Sequence, residues 1–240
     1  YRLKNKYKKK IILKIKSNNF SHFFDPKDFK IISGNQTIPE HDYHIFMVSL
    51  PRVFFKANDI FCKSVNFFQS DAKIKSKWKT RIGDIPGNKI GIHWSTSSLM
   101  PERNLPLEYF INLSKDIDAN FFVLQKDLNS NEIKAISKIK KIFYFSDMDK
   151  SEKAFLDSIE MIRNLDLVIT SDTAVAHLSA TLNKKTWIAL PFVADWRWFS
   201  DKKNTQWYSN VTLYRQQKIG DWKEIFQVIK DDLKLLGKKI

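Results

Sequence analysis

Asp172, Thr173 and His177 lie close together in the segment LVITSDTAVAH and could form an anion-binding site. The pattern predicts a buried strand over Asp166–Thr170, a tight turn, and a helix over Thr173–Leu182. Asp172 and Thr173 then stand at the carboxyl end of a strand, where ligands bind in open α/β sheets. The N–H groups and the dipole at the start of the next helix favour a negative charge. The segment therefore predicts phosphate binding.

The small residues around this turn strengthen that prediction, although two other interpretations stay open. Thr173 and His177 are four residues apart, so they share one face of the predicted helix. Ala174 and Ala176 leave room for a ligand to approach the backbone. Asp172 is also a favoured N-cap residue, and capping could be its only role. His177 could instead be a hydrogen-bonded histidine of the core. Since no GxxxxGK[ST] run occurs, phosphoryl transfer from ATP is disfavoured.

Polar residues also follow two other predicted strands. The strand Lys89–Trp94 is followed by the hydroxyl of Ser95 and by Arg103, whose planar guanidinium suits a phosphate. The strand Asn120–Gln125 ends on the amide of Gln125. Because the carboxyl ends of parallel strands meet at one edge of a sheet, we expect these side chains to converge on one crevice. The alternative is a solvated loop with Arg103 on the surface.

A loop rich in tryptophan and arginine follows the last of these elements. Aromatic rings beside arginines can stack on a base or sugar, or form cation–π pairs. The alternative is a structural cluster that packs the final helix. The residues concerned are Trp196, Arg197, Trp198, Trp207, Tyr208 and Arg215.

Composition limits the class of protein. The 240 residues suffice for one large domain or two modest ones, and the net charge is +15. The excess lysines are spread along the chain, and no basic helix or RNA-binding signature occurs, so nucleic-acid binding is disfavoured. Contact with an anionic membrane surface or an anionic substrate needs only a net field and stays open.

Cysteine and histidine usage points to a metal-free protein of a reducing compartment. The single cysteine, Cys62, excludes an intramolecular disulfide, which fits a cytoplasmic location. The five histidines show no zinc-like spacing. No apolar run approaches the ~18 residues that a membrane span requires. We expect neither a metal nor a cofactor, and a cytoplasmic chain with peripheral contact at the inner membrane face as an option.

The elements that must position these residues alternate between strands and helices. Strand candidates in the first part are Lys10–Lys16, Phe29–Ser33 and Tyr43–Ser49, and GDIPGN breaks regular structure before residue 89. We therefore predict an incomplete Rossmann-like domain over residues 1–84 and a second over residues 85–240. The second part continues with helices at Leu107–Lys115, Asn131–Ile139, Glu152–Asn164 and Trp222–Leu236, and strands at Lys141–Phe145, Thr186–Leu190 and Val211–Tyr214. This alternation predicts a doubly wound α/β fold.

The ordered motifs resemble glycosyltransferase family 9, the heptosyltransferase-like enzymes, in the form often attached to tetratricopeptide repeats. The resemblance covers nearly the whole chain and is strong between Ile90 and Trp222. The matching pieces are DYHIFMVSLP, IGIHWS, RNLPLEYF, FVLQKD, the run from AFLDSIEMIRNLDLV to LPF, DWRW, WYSNVTLYRQ and GDW.

This resemblance implies an α/β fold of the GT-B type, with two Rossmann-like domains, and metal-independent transfer of a sugar from a nucleotide-sugar. Asp172, Thr173 and His177 would bind the phosphates and sugar of the donor, and Arg103 its diphosphate. The family's first strand and loop, which carry the acceptor-side general base, would precede Tyr1. The acceptor would be a glycan or a lipopolysaccharide-type molecule.

Three hypotheses follow from the sequence. The first is a glycosyltransferase that builds a surface glycan. The second is an inactive remnant that binds a nucleotide-sugar without transferring the sugar. The third is a basic protein of nucleic acids or membrane surfaces, whose binding would fall steeply with added salt.

Overall fold

The structure is a computed structural model, which describes residues 11–50, 52, 68, 70–96, 100–200 and 203–237. The chain forms two compact units. The smaller consists of residues 1–60 and 149–156, and the larger of residues 61–148 and 157–240. The boundary near residue 84 that the sequence suggested stays a prediction.

The larger unit is built on a parallel sheet of six described strands in the order β5-β4-β3-β6-β7-β8. The chain starts in the centre at β3, runs outward to one edge, and returns to β6 on the other side of β3. This is the strand order of a Rossmann fold, and it confirms the predicted α/β class. The strands are β3 (Lys89–His93), β4 (Asn120–Val123), β5 (Ile142–Phe143), β6 (Leu167–Ser171), β7 (Thr186–Leu190) and β8 (Val211–Arg215).

The central strands are almost continuously apolar because both faces of the sheet are buried. Every residue of β6 and of β7 is buried. One face packs against side chains such as Phe110 and Phe226. The other face packs Ile188 and Leu190 against Ala176 and Ala180. The sheet is therefore covered by helices on both sides, as the alternation of elements predicts.

Most of the helices in the described ranges begin and end close to the predicted positions, although no bounds were predicted for the first of them. In chain order they are α1 (Ala72–Trp78), α2 (Leu107–Asp116), α3 (Ser130–Ile136), α4 (Leu156–Arg163), α5 (Ala174–Thr181) and α6 (Trp222–Leu236). The predicted helix over Glu152–Asn164 is wrong in its first turn, because Phe155 has a φ of 64° and cannot belong to a right-handed helix.

The described part of the smaller unit contains two parallel strands, β1 (Ile11–Ile15) and β2 (Phe29–Ser33). A short 3-10 helix over Asn18–Phe23 connects them. The predicted strand over Tyr43–Ser49 is wrong. Its end forms a 3-10 helix, Met47–Ser49, and Phe46 is 75% exposed. An apolar run of this length becomes a strand only when a neighbouring strand pairs with it.

No helix within the described ranges combines the length and the apolar character needed to cross a bilayer.

Candidate functional site

The start of α5 lies at the carboxyl end of β6, beside the point where the strand order reverses. The N-cap is Thr173, and not Asp172 as the sequence suggested. The Thr173 side chain accepts no hydrogen bond from any N–H group of the described first turn. Ala174, the first helical residue, is exposed. Val175 and Ala176 are buried, and the N–H of Ala176 donates to the backbone oxygen of Thr173, so Ala174 is the accessible residue of this turn. An exposed helix start without a capping side chain is an arrangement that can bind an anion.

The hydroxyl of Thr173 is held by neighbours on two strands. Its Oγ1 lies 3.4 Å from Nδ1 of His93, at the end of β3, and 3.3 Å from the hydroxyl of Thr170 in β6. Burial lowers the pKa of His93 from 6.5 to about 4. The imidazole is therefore neutral at pH 7, and it orients the hydroxyl without adding a charge.

Arg103 connects the loop after β3 to the loop after β6. Its Nη1 lies 3.1 Å from Oδ2 of Asp172, a carboxylate whose side chain is 2% exposed. The alternative of a solvated Arg103 is therefore wrong, since the Arg103 side chain itself is only 15% exposed. The buried Asp172 fixes a guanidinium close to the start of α5.

Asp195 extends this ion pair into a chain of four charges. Its Oδ2 lies 3.3 Å from Nη2 of Arg103 and 3.1 Å from Nη2 of Arg197. The other oxygen, Oδ1, accepts a hydrogen bond of 3.1 Å from the backbone N–H of Arg197. The net charge of this chain of ion pairs is zero, because it contains two carboxylates (Asp172 and Asp195) and two guanidinium groups (Arg103 and Arg197). An incoming anion would compete with the two carboxylates for the two guanidinium groups.

The ends of β3 and β4 are joined by the two polar residues that the sequence singled out there. Oε1 of Gln125 accepts a hydrogen bond of 3.1 Å from the backbone N–H of Ser95. The loop is held further by Asn104, whose Oδ1 accepts a bond of 2.6 Å from the N–H of Thr96. The structure therefore brings the ends of β3 and β4 into one polar contact, as the convergence of parallel strands predicts.

His177 lies in an aromatic cluster one turn into α5. Its ring stacks on Trp198 at 5.1 Å between ring centres, and its Nδ1 is 3.1 Å from the hydroxyl of Tyr208. Burial lowers the pKa of His177, while the nearby charge of Asp172 acts in the opposite direction. The ring is half-buried, so it both packs against Trp198 and retains access to the surface.

Sequence reasoning missed His93 and Asp195. His93 ends the motif IGIHWS at a strand terminus, and that position alone could have marked it. Asp195 opens the motif DWRW, which drew attention to its aromatic residues instead. In the described ranges, no three His, Cys, Asp or Glu side chains lie close enough to hold a metal ion.

Comparison with known proteins gives structural similarities only. No protein-family model matches the chain, and no curated protein matches it. E. coli heptosyltransferase WaaC with ADP-2-deoxy-2-fluoro heptose is 14% identical, with a TM-score of 0.45 over 69% of this chain and 50% of that one. E. coli ADP-heptose lps heptosyltransferase II is 12% identical, with a TM-score of 0.48 over 72% and 54%. The chain thus spans about half the length of these two structures.

Proposed function

We propose that this chain binds a nucleotide-sugar and transfers its sugar to a glycan or lipopolysaccharide-type acceptor without a metal. The observation that carries the proposal is the ion pair of Arg103 with the buried Asp172 beside the exposed start of α5. It supports an anion site at the switch point of a Rossmann-like sheet. The motifs of the sequence that resemble glycosyltransferase family 9 run through the same elements.

The site supplies donors of two kinds for a diphosphate. The exposed start of α5 at Ala174 and the hydroxyl of Thr173 would bind one phosphate. Arg103, which presents a planar fork of donors, would bind the other. The neutral His93 keeps Thr173 in place and leaves the positive charge to the guanidinium and the helix dipole.

These groups would act mainly on the leaving group. When an acceptor hydroxyl attacks the anomeric carbon, the bond from that carbon to the diphosphate breaks and negative charge grows on the departing nucleoside diphosphate. Fixed donors aimed at that charge stabilise the transition state more than the ground state. In this reaction Thr173 and Arg103 would serve the donor, and neither would take the proton from the acceptor hydroxyl.

The first experiment is a thermal-shift screen with nucleoside diphosphates and nucleotide-sugars. A ligand that binds only the folded state raises the melting temperature by mass action. We expect one nucleotide to stabilise the protein selectively. Thr173→Val should lower its affinity about tenfold, since one hydrogen bond to a charged group is lost. The matched control is Thr212→Val, a half-buried threonine of β8 away from the site.

Two results would contradict the proposal. One is a folded sample that no nucleotide stabilises, and the other is a stabilisation that Thr173→Val leaves unchanged. Binding with no turnover of any nucleotide-sugar would favour the nucleotide-sugar-binding module instead.

A further inference from the structure

A cavity of about 900 Å³ opens at the carboxyl ends of β7 and β8. It lies within the larger unit, and its wall is half apolar and half polar. Asp195, which pairs with Arg103, also forms part of this wall, so the cavity borders the proposed donor site. The lining residues are Phe192, Val193, Ala194, Asp195, Trp196, Phe199, Ser200, Lys203, Leu213, Arg215, Gln216 and Gln217.

One amide donor in the wall has no partner among the described residues. Gln216 is 5% exposed, and its Oε1 accepts hydrogen bonds of 3.1 Å from the backbone N–H groups of Phe192 and Gly220. Because the oxygen is used twice, the orientation of the amide is fixed. Its Nε2 is buried and bonds to none of those residues. A buried amide that donates nothing costs free energy unless a ligand accepts from it.

The apolar part of the wall includes the exposed aromatic rings of Trp196 and Phe199. Trp196 is 54% exposed, although its ring meets that of Trp207 edge-on at 6.4 Å between ring centres. Phe199 lies beside it with a φ of 57° and a ψ of −176°, a region that is essentially restricted to glycine. The fold therefore keeps a strained backbone at the position that presents the Phe199 ring to this cavity.

The charged part of the wall is mainly positive. Lys203 is exposed and pairs with Asp232 at 3.3 Å, a carboxylate outside the cavity. Arg215 donates a hydrogen bond to the backbone oxygen of Trp198. Among the described residues of the wall, the only carboxylate is Asp195, which two guanidinium groups already share. A ligand with a negative group is favoured over a cationic one.

We propose that this cavity binds an acidic saccharide, the acceptor of the transfer reaction. A sugar ring packs its apolar face on Trp196, its hydroxyl or ring oxygens accept from Gln216, and its carboxylate or phosphate lies near Lys203 and Arg215. The volume is within the range of ligand pockets and suits a short oligosaccharide. The acceptor role rests on the proposed function, whereas the binding of the saccharide does not.

The test is an array of glycans in which each acidic glycan has a neutral counterpart, probed with the chain and three variants. Trp196→Ala removes the stacking face, and Lys203→Gln removes a charge. Gln216→Glu keeps an oxygen for Phe192 and Gly220 while it replaces the free donor. We expect the unaltered chain to bind acidic glycans over neutral ones, and each variant to lose about tenfold in affinity.

Two controls match these variants away from the cavity. Lys141→Gln removes a lysine that also pairs with a surface aspartate, Asp118, at the opposite edge of the sheet. Tyr43→Ala removes an exposed aromatic ring of the smaller unit. Both should bind acidic glycans as the unaltered chain does, and circular dichroism spectra and melting temperatures should show that all variants are folded.

The proposal is overturned if no glycan is retained, if neutral glycans are retained equally, or if the three variants bind acidic glycans normally. It is also overturned if the variants lose nucleoside diphosphate instead, because the cavity would then belong to the donor. Failure of the donor site has a different signature, in which acidic glycans bind and no nucleotide does.

Discussion

The guanidinium of Arg103 lies 3.1 Å from the carboxylate of Asp172 and thereby joins the loops that follow β3 and β6. These are the two central strands between which the order of the sheet reverses. The pair has a structural and a functional consequence. It neutralises a buried carboxylate, and it places a phosphate-binding side chain next to the start of α5.

Arg103→Gln should weaken nucleoside diphosphate binding at least about tenfold, because a charged bidentate donor is lost. It should also lower the free energy of unfolding by about 3 kcal/mol, because Asp172 is left buried without its partner. Isothermal titration calorimetry and urea denaturation measure the two effects separately.

The double variant Arg103→Gln with Asp172→Asn distinguishes these consequences. It should recover most of the stability, since the unpaired charge is gone, and it should still bind nucleotide poorly. Full recovery of nucleotide binding in the double variant would mean that Arg103 serves only to neutralise Asp172.

Asp195→Asn tests whether Asp195 positions the two arginines. Simple electrostatics predicts tighter anion binding when a negative charge is removed next to the site. We expect weaker binding instead, because Arg103 and Arg197 would repel each other without the shared oxygen of Asp195. Titration calorimetry with the nucleoside diphosphate gives the sign directly, and tighter binding would contradict a positioning role.

His177 should tolerate an aromatic replacement better than a small one. His177→Phe keeps the stacking on Trp198 and removes the contact with the Tyr208 hydroxyl, so it should fold and lose affinity for the nucleotide-sugar. His177→Ala also removes the packing and should lower the melting temperature. Unaltered nucleotide-sugar binding in His177→Phe would assign the residue to the core alone.

Stability should depend on pH through His93. The unfolded imidazole takes up a proton near pH 6.5, whereas the folded one, whose pKa burial lowers, does so only near pH 4. The unfolded state therefore binds more protons in this window. The stability that His93 contributes is full above pH 6.5 and is lost progressively as the pH falls towards 4, by at most about 3 kcal/mol.

Urea denaturation at several pH values measures this loss, and His93→Asn is the comparison because its amide does not titrate. The difference in pH dependence between the two proteins isolates His93 from other groups, including His177. Parallel pH profiles would show that His93 is not buried as neutral imidazole.

Gly91→Ala should destabilise the centre of the sheet. A Cβ atom at this position of β3 would lie 2.6 Å from Cδ1 of Leu165 and 2.9 Å from Cδ1 of Leu124. Overpacking of this kind costs about 1–3 kcal/mol, measured as a loss in the free energy of unfolding. Gly237→Ala is the control, since its nearest contact is an ordinary 3.6 Å, and it should leave that free energy nearly unchanged.

The sequence predicted the strands best where the sheet is buried on both faces. β7 has the predicted bounds because its apolar run is continuous. The helix α6 also has the predicted bounds, because its apolar residues recur with a period of 3.6. Tyr43–Ser49 has the same apolar character, yet it pairs with no described strand. The apolar pattern of a segment shows which side chains could be buried in a sheet. Whether the segment forms a strand depends on a neighbouring strand that pairs with it.

The sequence by itself determined where the buried strands lie to within a few residues. It thereby predicted that Thr173, Arg103 and Gln125 follow the carboxyl ends of parallel strands. Only the tertiary structure decided which of these side chains meet. Arg103 and Asp195 are 92 positions apart in the chain, and Thr173 and His93 are 80 apart. Such pairs depend on strand order and register. Both arise from the packing of the whole sheet, so local sequence patterns do not predict them.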